Sequence, residues 1–220
     1  MQIIIGNVLS ADEVKTAVAA LERARFVDGR ATAGYAARTV KNNQQADGTD
    51  RSLATIRQLL AERILANEMF QIAARPQALS PLLLSRYEQG MSYGSHVDDA
   101  LMDGMRTDVA FTLFLSDPES YEGGELSIES AAGEDKIKLP AGSLVAYPAT
   151  SLHRVNEVKR GVRLAAAGWA KSLIRDAARR ELLFDLDTAR RQLFARDGKS
   201  AEFDLVSKSF ANLLRMWVDD

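Results

Sequence analysis

Two histidines, one aspartate and one arginine are the residues whose types and spacing point to chemistry. The stretch "SYGSHVDDA" places His96 two residues before Asp98, and the chain's only other histidine, His153, follows 57 positions later. Side chains i and i+2 of an extended segment project to one face, so His96 and Asp98 are expected side by side, with Val97 turned away into packing and Asp99 left to a turn. Two imidazoles and one carboxylate form the facial donor set of non-haem iron(II) sites, which leaves three metal positions open. If "NEVKRG" (156–161) is the turn between the last two strands, a pairing centred near Val158 sets residues 153 and 163 opposite each other on one face. Arg163 would then bring a guanidinium fork, suited to gripping a carboxylate at two oxygens, beside the metal. Taken singly, each of these residues reads as ordinary: a hydrogen-bonding histidine, a turn aspartate, a surface arginine.

Composition narrows the alternatives. The 220 residues contain no cysteine, which excludes disulfides, thiolate zinc, iron–sulfur clusters and a cysteine nucleophile, so any metal must be held by His, Asp or Glu. With 28 basic and 30 acidic residues the formal charge is only -2, and no global field favours nucleic acid or an anionic membrane. The N-terminal "MQIIIGNVLSADEV" has too short an apolar run for a signal peptide or anchor, and a cytoplasmic location is the expectation.

The elements that must position these residues can be read from periodicity. After a short strand at Ile3 to Ile5, Ser10 and Glu13 have capping-box spacing, and Val14, Ala17, Val18 and Leu21 recur at helical period. Residues 28 to 50 read as weak strand plus a long loop, in which Asn42, Asn43 and Gln44 are candidates for a substrate entrance. A second helix carries Leu53, Ile56, Leu60 and Ile64 on one face. From about Leu82 the texture becomes six or more short strands with Gly and Pro between them, an antiparallel jelly-roll in which Phe111, Leu113 and Leu115 share a face. Gly123, Gly124 and Glu125 read as a turn entering a strand, and Trp169 as either a core or a site aromatic.

Residues 172–220 read as a helical hairpin broken near "RDGKS". Phe203, Val206, Phe210, Leu213 and Trp217 form an apolar seam, to be buried on the β core or on another subunit. The arginines here (175, 179, 180, 190, 191 and 196) lie among acidic residues, so a solvated, ion-paired face is expected rather than a nucleic-acid surface.

These motifs, His96-x-Asp98, His153 and Arg163 within "RYEQGMSYGSHVDD", "YEGGEL" and "AYPATSLHRVNEVKRGVRLAAAGW", with "VKNNQQ" upstream, resemble the iron(II)- and 2-oxoglutarate-dependent dioxygenases. Within that family the whole chain is most similar to the bacterial PKHD-type hydroxylases, which are prolyl 4-hydroxylase-like. The resemblance implies an α+β fold: a double-stranded β-helix (jelly-roll) core, about 80–171, with N-terminal supporting helices in a dioxygenase domain 1–171, and a C-terminal helical extension 172–220. It implies that His96, Asp98 and His153 bind Fe(2+), that Arg163 pairs with the distal carboxylate of 2-oxoglutarate, and that Tyr87, nine residues before His96, lies near that co-substrate. It further implies O2 as co-substrate, L-ascorbate as reductant, an unidentified substrate that is hydroxylated, and a link to iron uptake. Asp98 argues against halogenase chemistry, since related halogenases lack this carboxylate. A zinc hydrolase on the same donor set leaves Arg163 without a role, and a non-catalytic iron or 2-oxoglutarate sensor remains a third reading, with the C-terminal helices as a signalling or homo-oligomer surface.

Overall fold

Helix-forming and strand-forming runs segregate along the chain, and the architecture follows from where each can bury its apolar face. The computed structural model describes residues 1–218. α1 (Ala11–Glu22) opens at the expected box: the Ser10 hydroxyl accepts from Glu13 N–H, and the Glu13 carboxylate accepts from Ser10 N–H. α2 (Ala54–Ala66) buries Ile56, Leu60 and Ile64, and the short α3 (Glu68–Ala74) follows it.

Eight strands form the larger antiparallel sheet. Its path runs β1 (Ile3–Ile5), β14 (Leu144–Pro148), β10 (Val109–Phe114), β17 (Arg163–Ser172), β6 (Leu83–Tyr87), β4 (Gln44–Ala46), β2 (Phe26–Asp28), with β5 (Pro76–Leu79) added to β17. The facing sheet runs β13 (Gly133–Ile137), β12 (Leu126–Ser130), β15 (His153–Val155), β7 (Ser92–His96), β3 (Lys41–Asn42). Two ribbons complete the strands, β8 (Leu101–Met102) with β9 (Met105–Arg106), and β11 (Tyr121–Gly123) with β16 (Val158–Gly161). This is the jelly-roll core with N-terminal helices that the motifs imply.

β10 shows how the layers divide. Phe111 and Leu113 pack with Leu60, Ile64 and Phe70 of the helices, as the alternation predicts, while Ala110 and Phe114 turn to the inter-sheet side with Leu126, Ile128 and Val155. The strand is buried on both faces, so its sequence is apolar at every position but Thr112. Residues 28–50 are more ordered than a loop: β3 and β4 join opposite sheets, preceded by 3-10 turns at Gly29–Thr32 and Ala37–Thr39.

Two expectations about the C-terminal part need correction. α4 (Ala177–Asp197) and α5 (Ala201–Trp217) pack on each other, so the seam meets the neighbouring helix rather than the β core; Phe210 is buried, whereas Phe203, Val206, Leu213 and Trp217 are half-buried. Phe210 lies between the guanidinium groups of Arg75 and Arg190, 5.0 and 4.6 Å from its ring centre. Arg180 is not solvated either. It is 5% exposed and donates to the Ile174 and Arg175 carbonyls at 2.7 and 2.9 Å and to the Asp108 carbonyl at 3.4 Å, because the chain leaving β17 exposes carbonyls that need a buried donor. Among the described residues no helix is long and apolar enough to cross a membrane.

Arg180→Met keeps the length and removes these donors. It is expected to lower unfolding free energy by about 1–3 kcal/mol in denaturant titration and to make α4 and α5 the first segment cut in limited proteolysis. A variant as stable and as protease-resistant as the parent would show that Arg180 does not anchor the helices.

Candidate metal centre

His96 ends β7 and His153 begins β15, and the two are direct partners across the sheet. Asp98 lies past the end of β7 rather than within it, yet its carboxylate turns back: Oδ1 is 3.9 Å from His96 Nε2 and 3.7 Å from His153 Nε2. One ligand atom from each residue falls within 4.8 Å of the others, a spacing that suits a shared cation. The i+2 rule put the right residues together, but Val97 does not pack; it is 51% exposed, because the chain leaves the sheet at this point.

The register between β7 and β15 shifts by one residue between the pairs His153 with His96 and Val155 with Tyr93. That bulge lets Tyr93 and His96, three residues apart, face the same cavity. The Tyr93 ring stacks on His96 at 3.7 Å between centres, and Tyr147 meets His153 edge-on at 5.1 Å. His96 Nδ1 donates to the Gly94 carbonyl at 2.8 Å and His153 Nδ1 to the Ser151 carbonyl at 3.0 Å. A carbonyl can only accept, so both imidazoles carry their proton on Nδ1 and present the Nε2 lone pair to the centre.

Electrostatics agree with a metal-ready site. Burial, with His153 beside it, pulls the His96 pKa down to about 4, so the ring is neutral at physiological pH. Burial pushes the Asp98 carboxyl upward; the indole N–H of Trp169 is close enough to favour the carboxylate, although no well-formed hydrogen bond reaches Asp98 Oδ2. A cation at the centre would compensate that desolvated charge.

The centre opens into a cavity of about 780 Å³, its open mouth included. From β17, Arg163, Ala165, Ala167 and Trp169 line it at period two, and the two alanines leave space between the larger groups. Arg163 does not sit opposite His153. "NEVKRG" is not a turn: Val158–Gly161 forms β16 against β11, which makes His153's strand the third from the end and places Arg163 on the other sheet, opposite Tyr87. It still reaches the cavity, 2% exposed, with its guanidinium 5.1 Å from the Tyr87 ring and 5.3 Å from that of Phe114. Its Nε and Nη2 have no hydrogen-bond partner among the described residues.

Tyr87 lines the same cavity at 4% exposure. Gly123 and Gly124 have left-handed backbone (φ 74° and 65°), and a Cβ on Gly124 would lie 3.1 Å from Arg163 Cδ. The turn read from sequence is therefore also the seat of the arginine stem. Of the proposed entrance residues, Asn42 is exposed and donates to the Gly90 carbonyl, and Gln44 stays outside the cavity lining. Asn43, the third of them, does line it, together with its strand-period neighbours Lys41 and Gln45, each 4% exposed. The strand period would have revealed this row had 28–50 been recognised as strand.

Residues 82–171 match the family model of the 2OG-Fe(II) oxygenase superfamily, and 176–219 match that of the PKHD-type hydroxylase C-terminal domain. A PKHD-type hydroxylase of Picosynechococcus sp. is 53% identical over 213 residues, 97% of each chain. A solved prolyl-4-hydroxylase of Pseudomonas putida superposes with TM-score 0.57 at 22% identity over 78% of this chain and 92% of that one. The prolyl hydroxylase of Trichoplax adhaerens, solved with a hypoxia inducible factor oxygen degradation domain peptide fragment, gives 0.55 at 18% identity over 82% and 86%.

With only two histidines in the chain, ring-nitrogen NMR resolves each. In the metal-free protein His96 is expected to stay a neutral Nδ1–H tautomer from pH 8 down to near pH 4. Protonation near 6.5 would contradict the buried geometry described above.

Proposed function

The chain belongs to the PKHD-type hydroxylases of the 2OG-Fe(II) oxygenase superfamily, and on that premise we propose that His96, Asp98 and His153 hold iron(II) while Arg163 holds 2-oxoglutarate for hydroxylation of a substrate. The observation that carries this reading is a buried guanidinium with unpaired donors in the same cavity as the three converging ligands. An unpaired buried charge is costly, and a ligand carboxylate would compensate it. The residues fit both groups: two Nε2 lone pairs and Asp98 Oδ1 converge for the metal, and Arg163 Nε and Nη2 offer a fork to the distal carboxylate. A hydrolase leaves that fork without purpose.

Iron(II), when bound, supplies with 2-oxoglutarate and oxygen the oxidant whose formation yields succinate and carbon dioxide and whose reaction hydroxylates a C–H bond. The chain's own residues position and shield. Tyr93 and Tyr147 hold the imidazole planes, the carbonyls of Gly94 and Ser151 hold the tautomers, and Asp98 offsets the metal charge. Tyr87 and Phe114 flank the Arg163 guanidinium and keep water from it, which strengthens its grip on a carboxylate. Ascorbate as reductant, a cytoplasmic location and a role in iron homeostasis belong to the same proposal and rest on sequence and family resemblance.

In anaerobically reconstituted protein, Asp98→Ala and His153→Ala are expected to lose both iron binding and succinate formation. Arg163→Met is expected to keep iron and to raise the KM for 2-oxoglutarate roughly 100-fold. Parent protein that never binds 2-oxoglutarate in the presence of iron would overturn the proposal. Gly124→Ala places a Cβ in left-handed backbone, 2.9 Å from Val158 Cγ2 and 3.1 Å from Arg163 Cδ. It should cost about 1–2 kcal/mol in stability and raise the same KM with iron affinity unchanged.

A further inference from the structure

Among the described residues, Lys41 is the one cation lining the cavity that the proposed chemistry leaves uncommitted. Its residue is 4% exposed, its ammonium donates to the Thr32 hydroxyl at 3.0 Å and lies 4.8 Å from the Tyr93 ring, and among the described residues no carboxylate comes within ion-pair distance of it. Thr32 takes one of the three N–H bonds an ammonium can donate, and Asp98 and Asp28 act on the charge only from beyond ion-pair distance. Asn43 follows at i+2, its amide making no well-formed hydrogen bond among the described residues although the Tyr87 hydroxyl is near it, and Gln45 at i+4 holds the Thr32 hydroxyl at 2.6 Å through its Oε1. The three form a buried polar row along β3 and β4, lining the cavity beside Tyr93, the ring stacked on His96.

We propose that this row is the recognition strip for the primary substrate and that Lys41 receives a carboxylate of that substrate. The inference rests on the functional reading above and deepens it. Charge matching within the cavity selects the class. Arg163 is matched by the distal carboxylate of 2-oxoglutarate, and a divalent metal by Asp98 together with the keto-acid carboxylate. Asp99 is exposed and solvated at the mouth. One buried positive charge remains, on Lys41, and it suits a monoanion. A lone ammonium flanked by two carboxamides matches a carboxylate next to amide or hydroxyl groups, whereas a dianionic phosphate calls for a second cation or a row of backbone N–H groups. Position separates this carboxylate from those of the co-substrate: Lys41 belongs to the edge strand of the sheet that carries both histidines, and Arg163 to the opposite sheet.

The test uses full-length protein loaded with Mn(II) in place of iron and with 2-oxoglutarate, and reads the paramagnetic relaxation of methyl protons on small probes. Acetate is expected to relax faster in the parent protein, with acetamide unaffected. The acetate effect should drop roughly tenfold or more in Lys41→Met and persist in Lys41→Arg, which keeps the charge. Absence of an acetate effect in the parent, an equal effect in Lys41→Met, or a stronger effect on methyl phosphate than on acetate would each overturn the proposal. Proton relaxation of 2-oxoglutarate in the same samples separates the failures. If it is missing in the parent protein, the co-substrate reading itself fails; if it is lost only in Lys41→Met, Lys41 serves the co-substrate and the substrate assignment is wrong.

Discussion

Charges buried without protein partners are the constraint around which this molecule is arranged. Asp98 is desolvated between two imidazoles, and Arg163 is desolvated between two aromatic rings, both lining one cavity. Neither state is favourable in isolation, since removing an ion from water costs several kcal/mol that an unpaired site does not return. A fold that keeps them must be stabilised elsewhere, and it must gain when a cation and a carboxylate arrive. Stability and ligand binding are thus coupled through the same few atoms.

The scaffold supplies that stability in layers. The larger sheet buries one face against α1 to α3 through Leu21, Leu60, Phe70 and Phe111, and so can leave its other face partly open around the cavity. The smaller sheet sets the two histidines as cross-strand partners, and a bulge turns Tyr93 and His96 the same way. At the far side Asp108 accepts from Arg106 and from Ser172 N–H, while its carbonyl accepts from Arg180. The C-terminal helices are thereby tied to β9, whose ribbon partner β8 carries Met102 at the cavity wall.

Much of the fold was legible because its signals are local. A capping box, a 3.6-residue apolar period and a two-residue alternation each describe neighbours along the chain, and α1, α2 and β10 formed where those signals lay. The site residues stood out because histidine is so scarce here. The misreadings share one cause: the hairpin centred on Val158, the packing of Val97, the solvation of Arg180 and the cover of the Phe203–Trp217 seam all depend on partners distant in sequence. Asn43 was picked out but its neighbours Lys41 and Gln45 were missed, because a run of polar residues between short strands gives no apolar alternation to reveal its face.

Residue chemistry is what the sequence by itself determined: a cysteine-free chain with one facial set of donors and one fork-shaped cation at a recognisable spacing, a combination specific enough to identify the family. Tertiary structure decided which sheet each residue occupies, and with it that Arg163 faces Tyr87 rather than His153, that His96 pairs with His153, and that the polar row Lys41, Asn43, Gln45 lines the cavity. The physical reason is that periodicity along a strand sets which side chains share a face, whereas the choice of neighbouring strand is made by burial across the whole chain.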